Sequence, residues 1–357
     1  MAPIKSTKFG YMSIFTDKVE TDNNIAGIGA TYSTSEVFEP GNGYRYLIYT
    51  APGYLNVNRG GSVDLLLVGG GGAGGNGEYY PPNSYYAGGG GGAGGYFQDF
   101  NFTLPIGEYD ISIGNGGSVS AIPTNAQSGT NRNGNPGTPS YISGPGITTI
   151  IAYGGGGGGG SYDFGPPSYP AGAGSDGGSG GGKAYNPSSL IGEGNRTTVS
   201  AGPLPTPVVG SPIPAYLQGS GEVQGYPGGP EPSSTLYSSG GGGAGEAGDA
   251  NQKGGNGRPA WTDDAGIPSS YGTSGPTPGR WFAGGGGGCT PLLAPNNNGG
   301  AGGGGRGADQ APPTYVQTAL SGTVNTGGGG GGGHGSGTTY AAKAGGSGIV
   351  IIRYKIS

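Results

Sequence analysis

Apolar positions in this chain gather in a few short blocks separated by long stretches that carry almost none. Residues 44–50 read Tyr-Arg-Tyr-Leu-Ile-Tyr-Thr, and residues 63–68 read Val-Asp-Leu-Leu-Leu-Val before running directly into glycine. Phe100, Phe102 and Leu104 alternate with polar residues, as do Tyr109, Ile111 and Ile113. A period of two with β-branched and aromatic residues predicts strands. Residues 147–152 and 348–354 add two more apolar blocks, each beside a glycine-rich stretch. The predicted strands are therefore about 44–50, 63–68, 96–113, 147–152 and 348–354. They suffice for one sheet or a small sandwich, and no segment shows a helical period.

Between the blocks lie glycine runs, the densest at 69–72, 88–92, 154–160, 240–243, 284–288, 302–305 and 327–333. The chain has 93 glycines and 30 prolines among 357 residues, which alone suggests low complexity. Only 10% of residues are charged, however, so this is not a chain kept open by self-repulsion. Each ordered glycine costs roughly 0.5–1 kcal/mol more than alanine, and burial of side chains cannot offset this. Backbone hydrogen bonds and close backbone packing must.

Polyglycine can adopt the left-handed threefold helix of polyproline II, rising ~3.1 Å per residue. Without side chains such helices can lie side by side and bond between neighbours. Interruptions of the runs are mostly Ala, Ser or Asn, and single alanines such as Ala73, Ala93, Ala244 and Ala301 are expected on outer faces. The expected fold is mostly non-helical: a β-strand base, sheet or small sandwich, plus a bundle of packed polyglycine II helices with long irregular loops. Residues 36–357 form this glycine-rich domain. Residues 1–35 precede it as a docking arm or a strand segment, with Phe9, Tyr11, Ile14 and Phe15 as the apolar docking candidates.

If the strand at 63–68 enters the first run and the strand at 348–354 leaves the last, the runs alternate in direction. Counting from that end puts 78–87, 161–171, 289–298 and 338–344 at the end away from the strands. Tyr with Ser, Gly and Asn is a binding-loop composition, combining rigid amphipathic rings with adaptable polar groups. Tyr79, Tyr80, Tyr85, Tyr86, Tyr162, Phe164, Tyr169, Leu292, Leu293 and Tyr340 are the candidate receptor-binding residues. Trp261, Tyr271, Trp281 and Tyr315 are candidates on flank loops, where rings can equally cover the bundle or fill gaps at its ends.

Chemistry-bearing motifs are sparse. Gly177-Gly-Ser-Gly-Gly-Gly-Lys183 superficially reads as a phosphate loop, but Ala184 follows where Ser or Thr is needed and no strand precedes. Cys289 and His334 are the single cysteine and single histidine, and no third ligand or orienting group accompanies them. No enzyme activity, cofactor or metal is expected. The formal net charge is −5 with no basic stripe, which argues against nucleic-acid binding. No stretch approaches the roughly 20 apolar residues of a membrane span, and the start lacks an apolar signal segment.

Asp64-Leu-Leu-Leu-Val-Gly-Gly-Gly-Gly-Ala-Gly-Gly75, Gly114-Asn-Gly-Gly117 and Gly345-Gly-Ser-Gly-Ile-Val-Ile-Ile-Arg-Tyr354 resemble viral glycine-rich proteins. The alternation of glycine motifs with variable loops resembles the tail-fibre tip adhesins of T-even-like bacteriophages, over roughly residues 40–357. More distantly, it is similar to the extracellular glycine-rich domain of the anaplastic lymphoma kinase family, whose kinase and membrane span are missing here. The phage resemblance implies a polyglycine II sandwich that presents variable loops to a host surface receptor. It implies a virion location after synthesis in the host cytoplasm. The implied partners are a cell-surface glycan or outer-membrane protein, other virion or fibre proteins, and further copies of the chain. The alternative is a self-assembling filament, capsid-fibre or surface-decoration subunit whose loops contact neighbouring copies.

Overall fold

The computed structural model describes residues 28–80, 84–120, 132–161, 172–184, 224–230, 237–261, 266–290, 297–311, 315–334 and 341–356. The docking candidates Phe9, Tyr11, Ile14 and Phe15 lie outside the described residues. Among those described there is no helix. The strands are, in order, β1 (Gly29–Ser33), β2 (Glu36–Phe38), β3 (Tyr44–Tyr49), β4 (Gly53–Arg59), β5 (Gly61–Val68), β6 (Glu78–Tyr80), β7 (Ser84–Tyr86) and β8 (Tyr96–Leu104). They continue as β9 (Gly107–Ser112), β10 (Ser140–Ser143), β11 (Ile150–Ala152), β12 (Arg258–Ala260), β13 (Arg280–Phe282), β14 (Asp309–Ala311), β15 (Tyr315–Gln317) and β16 (Ile349–Lys355).

Two five-stranded antiparallel sheets make the base, in the orders β1-β4-β9-β10-β11 and β2-β3-β16-β5-β8. Their facing sides share one core that includes Tyr32, Leu55, Tyr109 and Ile142 from the first sheet and Leu47, Leu65, Val350 and Ile352 from the second. The base is thus a sandwich. Along β4 and β9 buried Leu55, Val57, Tyr109 and Ile111 alternate with exposed Asn56, Glu108 and Asp110, because the outer face of the first sheet meets water. The central strands of the second sheet have no such face. A layer carrying β12 and β13 covers it, and Tyr46, Ile48, Leu66, Ile349 and Ile351 pack there against Trp261, Ile267 and Phe282. Burial on both sides explains why β5 and β16 read as continuous apolar runs.

The predicted 96–113 segment divides at residues 105–106 into β8 and β9, and the predicted 147–152 strand is regular only at 150–152. On the edge strand β8 the register shifts opposite Asp64, where Asn101 takes φ 58° and its N–H donates to Asp64 Oδ1 at 2.9 Å. At this bulge Phe100 has no register partner on β5 and is 49% exposed.

Above the sandwich the glycine runs bond to one another. The N–H groups of Gly69, Gly72 and Gly75 donate to Gly95, Gly92 and Gly89; those of Gly70, Ala73 and Asn76 to Thr138, Asn135 and Arg132; those of Gly71 and Gly74 to Gly346 and Lys343. Every third residue therefore faces the same neighbour, which is the symmetry of a polyproline II-type helix. Carbonyls of the same run accept from Gly155, Gly158 and Ser161, from Gly330 and Gly333, and from Gly117. One run thus sits among six others, and all of its N–H groups and most of its carbonyls bond to neighbouring backbone without side chains.

The alanines depart from expectation. Ala73, Ala93 and Ala244 are fully buried, not on outer faces, and only Ala301 is partly open. For Ala93 and Ala244 the reason is local: they pack in the cluster with Val68, Tyr96 and Phe282, where the bundle meets the apolar base and a methyl has partners.

Candidate functional site at the distal loop end

Bond registers define the direction of each run. The 69–76 run leaves β5, the 88–95 run returns to β8, and their register falls as the other rises. The 154–161 run is parallel to 69–76, and 132–138 and 341–347 are antiparallel to it. The same reading makes 284–289, 304–308 and 327–333 point away from the sheets and 237–244, 297–301 and 318–322 point back. The described ends of connections 77–87, 162–171, 290–296, 309–317 and 335–340 therefore share one end of the bundle, opposite the sandwich.

Two short hairpins stand at this end. In β6–β7 the register pairs Tyr79 with Tyr85 and sets Glu78 opposite Tyr86 and Tyr80 opposite Ser84. Tyr79 and Tyr85 are thus directly opposed register partners. In β14–β15 Tyr315 pairs with Ala311, which brings Tyr315 to the distal end rather than to a flank. Tyr162, Phe164, Tyr169, Leu292, Leu293 and Tyr340 lie outside the described residues, on connections whose described ends are distal.

The remaining aromatic candidates serve the base. Trp261 is 1% exposed, stands edge-on to Tyr46 at 6.1 Å, and faces the Arg353 guanidinium at 4.6 Å. The Trp281 indole is buried and donates Nε1–H to Thr277 O at 2.9 Å. Tyr271 Oη donates to Glu36 Oε2 at 2.6 Å; burial, together with that carboxylate, pushes its hydroxyl up to about 12. Both tryptophans are buried, and Trp261 packs in the cluster on the outer face of the second sheet.

A set of polar residues that sequence reasoning had not grouped braces the distal end. Asn76 donates Nδ2–H to Ser120 O at 3.0 Å and accepts from the Ala342 N–H at 2.9 Å, while buried Arg132 donates to Gly77 O at 3.1 Å. Ser238 Oγ donates to Gly88 O at 2.7 Å and accepts from the Cys289 N–H at 2.8 Å. Asn76 and Ser238 have one sequence signal, their position beside a glycine run, which Arg132 lacks.

Cys289 and His334 come to neighbouring runs, since Gly88 N–H donates to Gly333 O and Cys289 N–H to Gly88 O. Asp309 joins them through its bridge to Thr290. All three are buried, beside the small cluster of Ala87, Ala308 and Ala319. Burial pushes the thiol up, which keeps it protonated and a poor nucleophile. Burial raises the Asp309 carboxyl, against an opposing pull from Arg306, and lowers His334 to about 4. Among the described residues no group of three His, Cys, Asp or Glu side chains could hold a metal ion.

The His334 shift makes stability pH-dependent. Its folded value lies below the ordinary 6.5, so its contribution is full above pH 6.5 and is lost as pH falls toward 4. The expected loss from this group is about 2 kcal/mol between pH 7 and pH 5. Urea unfolding of wild type and His334→Asn across that range measures it: the variant's pH slope should be flatter, and equal slopes would contradict the assignment.

A family model described as a glycine-rich domain matches residues 50–355, from the start of the β3–β4 turn through β16. The chain belongs to this family. None of the curated proteins matches the chain. The match to the glycine-rich domain takes in the whole bundle and most of the sandwich, so the two layers belong to one family unit.

Proposed function

We propose that this glycine-rich protein is a virion structural protein, a receptor-binding adhesin of the phage tail-fibre kind, working without catalysis or cofactor. The observation that carries the reading is the polarity of the bundle. Hydrogen-bonded runs open at one end into tyrosine-bearing connections, and the other end is closed by a sandwich with a hydrophobic core. Rigidly anchored loops lose less conformational entropy on binding than free ones, which favours a partner at that end. Tyrosine faces beside serine and asparagine suit pyranose rings or exposed protein loops. The partner is accordingly a host cell-surface glycan or outer-membrane protein, and the sandwich end with residues 1–35 joins the virion.

Replacing 79–86 by a short glycine-serine link removes the β6–β7 hairpin but none of the bonds of Gly75 and Gly89. Adsorption of particles carrying the replacement to host cells should fall ~30-fold or more. The urea midpoint of the purified chain should stay at the wild-type value. Undiminished adsorption with an intact fold would overturn the assignment of this hairpin as a contact.

A further inference from the structure

Residues 341–355 occupy an interior position in both layers at once. In the bundle Lys343 and Gly346 donate to Gly331 and Gly328, and Gly71 and Gly74 donate back to Gly346 and Lys343. In the sandwich β16 lies between β3 and β5, paired with β3 over six positions and with β5 over five. Residues 349–354 are all buried. The other strands of the second sheet, β2, β3, β5 and β8, all come from one stretch of chain, residues 36–104, which also carries β4 of the first sheet and the β6–β7 hairpin. With 341–355 removed, β3 and β5 would present two facing unpaired edges, continued upward by a vacant lane between the runs at 69–76 and 327–333.

Such a channel has the features of a strand-binding site. It offers backbone partners along its whole length and apolar surfaces above and below. It also has one charge-selective position, since Arg353 Nε donates to the buried Asp64 Oδ2 at 2.8 Å. We infer that the body of the protein binds residues 341–355 as a ligand and accepts this segment in trans from a second copy. The ligand is an extended strand with small residues apart from Lys343 in its first half, four consecutive aliphatic residues, and an arginine that meets Asp64. Within one chain the connection at 335–340 supplies a high effective concentration, so self-occupancy dominates when the protein is dilute. Chains that fold together at high concentration can exchange the segment and become linked, as in domain swapping.

The test uses the full chain with a protease site inserted within 335–340, cut after folding. The cut protein should elute as one species with residues 341–357 still bound. After brief exposure to moderate urea it should take up a fluorescent peptide of residues 341–357. The same peptide with Ile351→Asp should be taken up ~100-fold less, because it buries a carboxylate in the doubly covered face. Wild-type chain without the inserted site, refolded with the labelled peptide in excess, provides a second measurement that does not depend on the insertion and should also capture it. Release of the segment on cutting, no capture in either format, or equal uptake of the two peptides would overturn the inference.

Discussion

Gly91→Ala is expected to destabilise the protein by about 3 kcal/mol, at the upper end of what overpacking usually costs, and Gly91→Val to prevent folding. Gly91 donates to Gly330 O at 2.8 Å and accepts from Gly286 N–H at 2.8 Å, so it is held from two sides. A Cβ there would lie 2.7 Å from the Gly72 carbonyl carbon, 2.8 Å from the Ala73 carbonyl carbon and nearer still to the Gly72 oxygen. These neighbours are backbone, so no side chain can rotate away. Relief requires moving the 69–76 run, which shares its bonds with six others. Gly41→Ala is the contrast: nothing lies within 4 Å of the added carbon, and its φ of +86° alone should cost about 1 kcal/mol. Urea denaturation of the two variants measures the difference. Equal costs would mean that the runs are not packed backbone against backbone.

This contrast also explains what could be read from the sequence. Glycine runs announce that backbones pack closely, but a residue without a side chain carries no mark of which neighbour it meets. Nothing in Gly70 or Gly71 distinguishes the partner at Thr138 from the partner at Gly346. The strands β3, β5 and β16 were legible because both their faces are apolar. β4 alternates cleanly and was legible in principle from Leu55 and Val57, whereas β2 and β10 are three and four residues long and too weakly apolar to stand out. The aromatic candidates show a different limit. Tyrosine and tryptophan have the same composition signal in a core as on a surface, so Trp261 could not be separated from Tyr79 until Arg353 and Tyr46 were seen around its ring. The alternation of runs, by contrast, follows from geometry alone. A loop of about ten residues can scarcely return along a run of ~25 Å and still turn, so runs joined by short loops reverse, whereas 178–184 and 224–230, which the long connection 185–223 joins, both point away from the sheets.

Arg353 and Asp64 stand out in the sequence as charged residues within the apolar blocks 348–354 and 63–68, and the structure makes them directly opposed cross-strand partners. Arg353 is 2% exposed, with its guanidinium 4.8 Å from the Tyr44 ring and 4.6 Å from that of Trp261; Asp64 also accepts the Asn101 N–H. Removing either partner leaves a buried charge without its counterion, so Asp64→Ala and Arg353→Met should each cost about 3–5 kcal/mol. Replacing both, as Asp64→Leu with Arg353→Met, should cost much less than the two single changes together, because an apolar pair of similar volume incurs no charge desolvation. Asn101 is exposed, so water can take over its N–H. A double-mutant cycle in urea checks this, and additive costs would refute it. The pair also specifies register. A slip of β16 by one residue would turn Arg353 into the sandwich core and bring Val350, Ile352 and Tyr354 to the face now covered by Trp261. Four consecutive aliphatic residues at 349–352 cannot by themselves oppose such a slip, since either face would accept them. The double variant should therefore recover stability while populating a second register, visible as duplicated amide signals for residues 349–355 in nuclear magnetic resonance spectra.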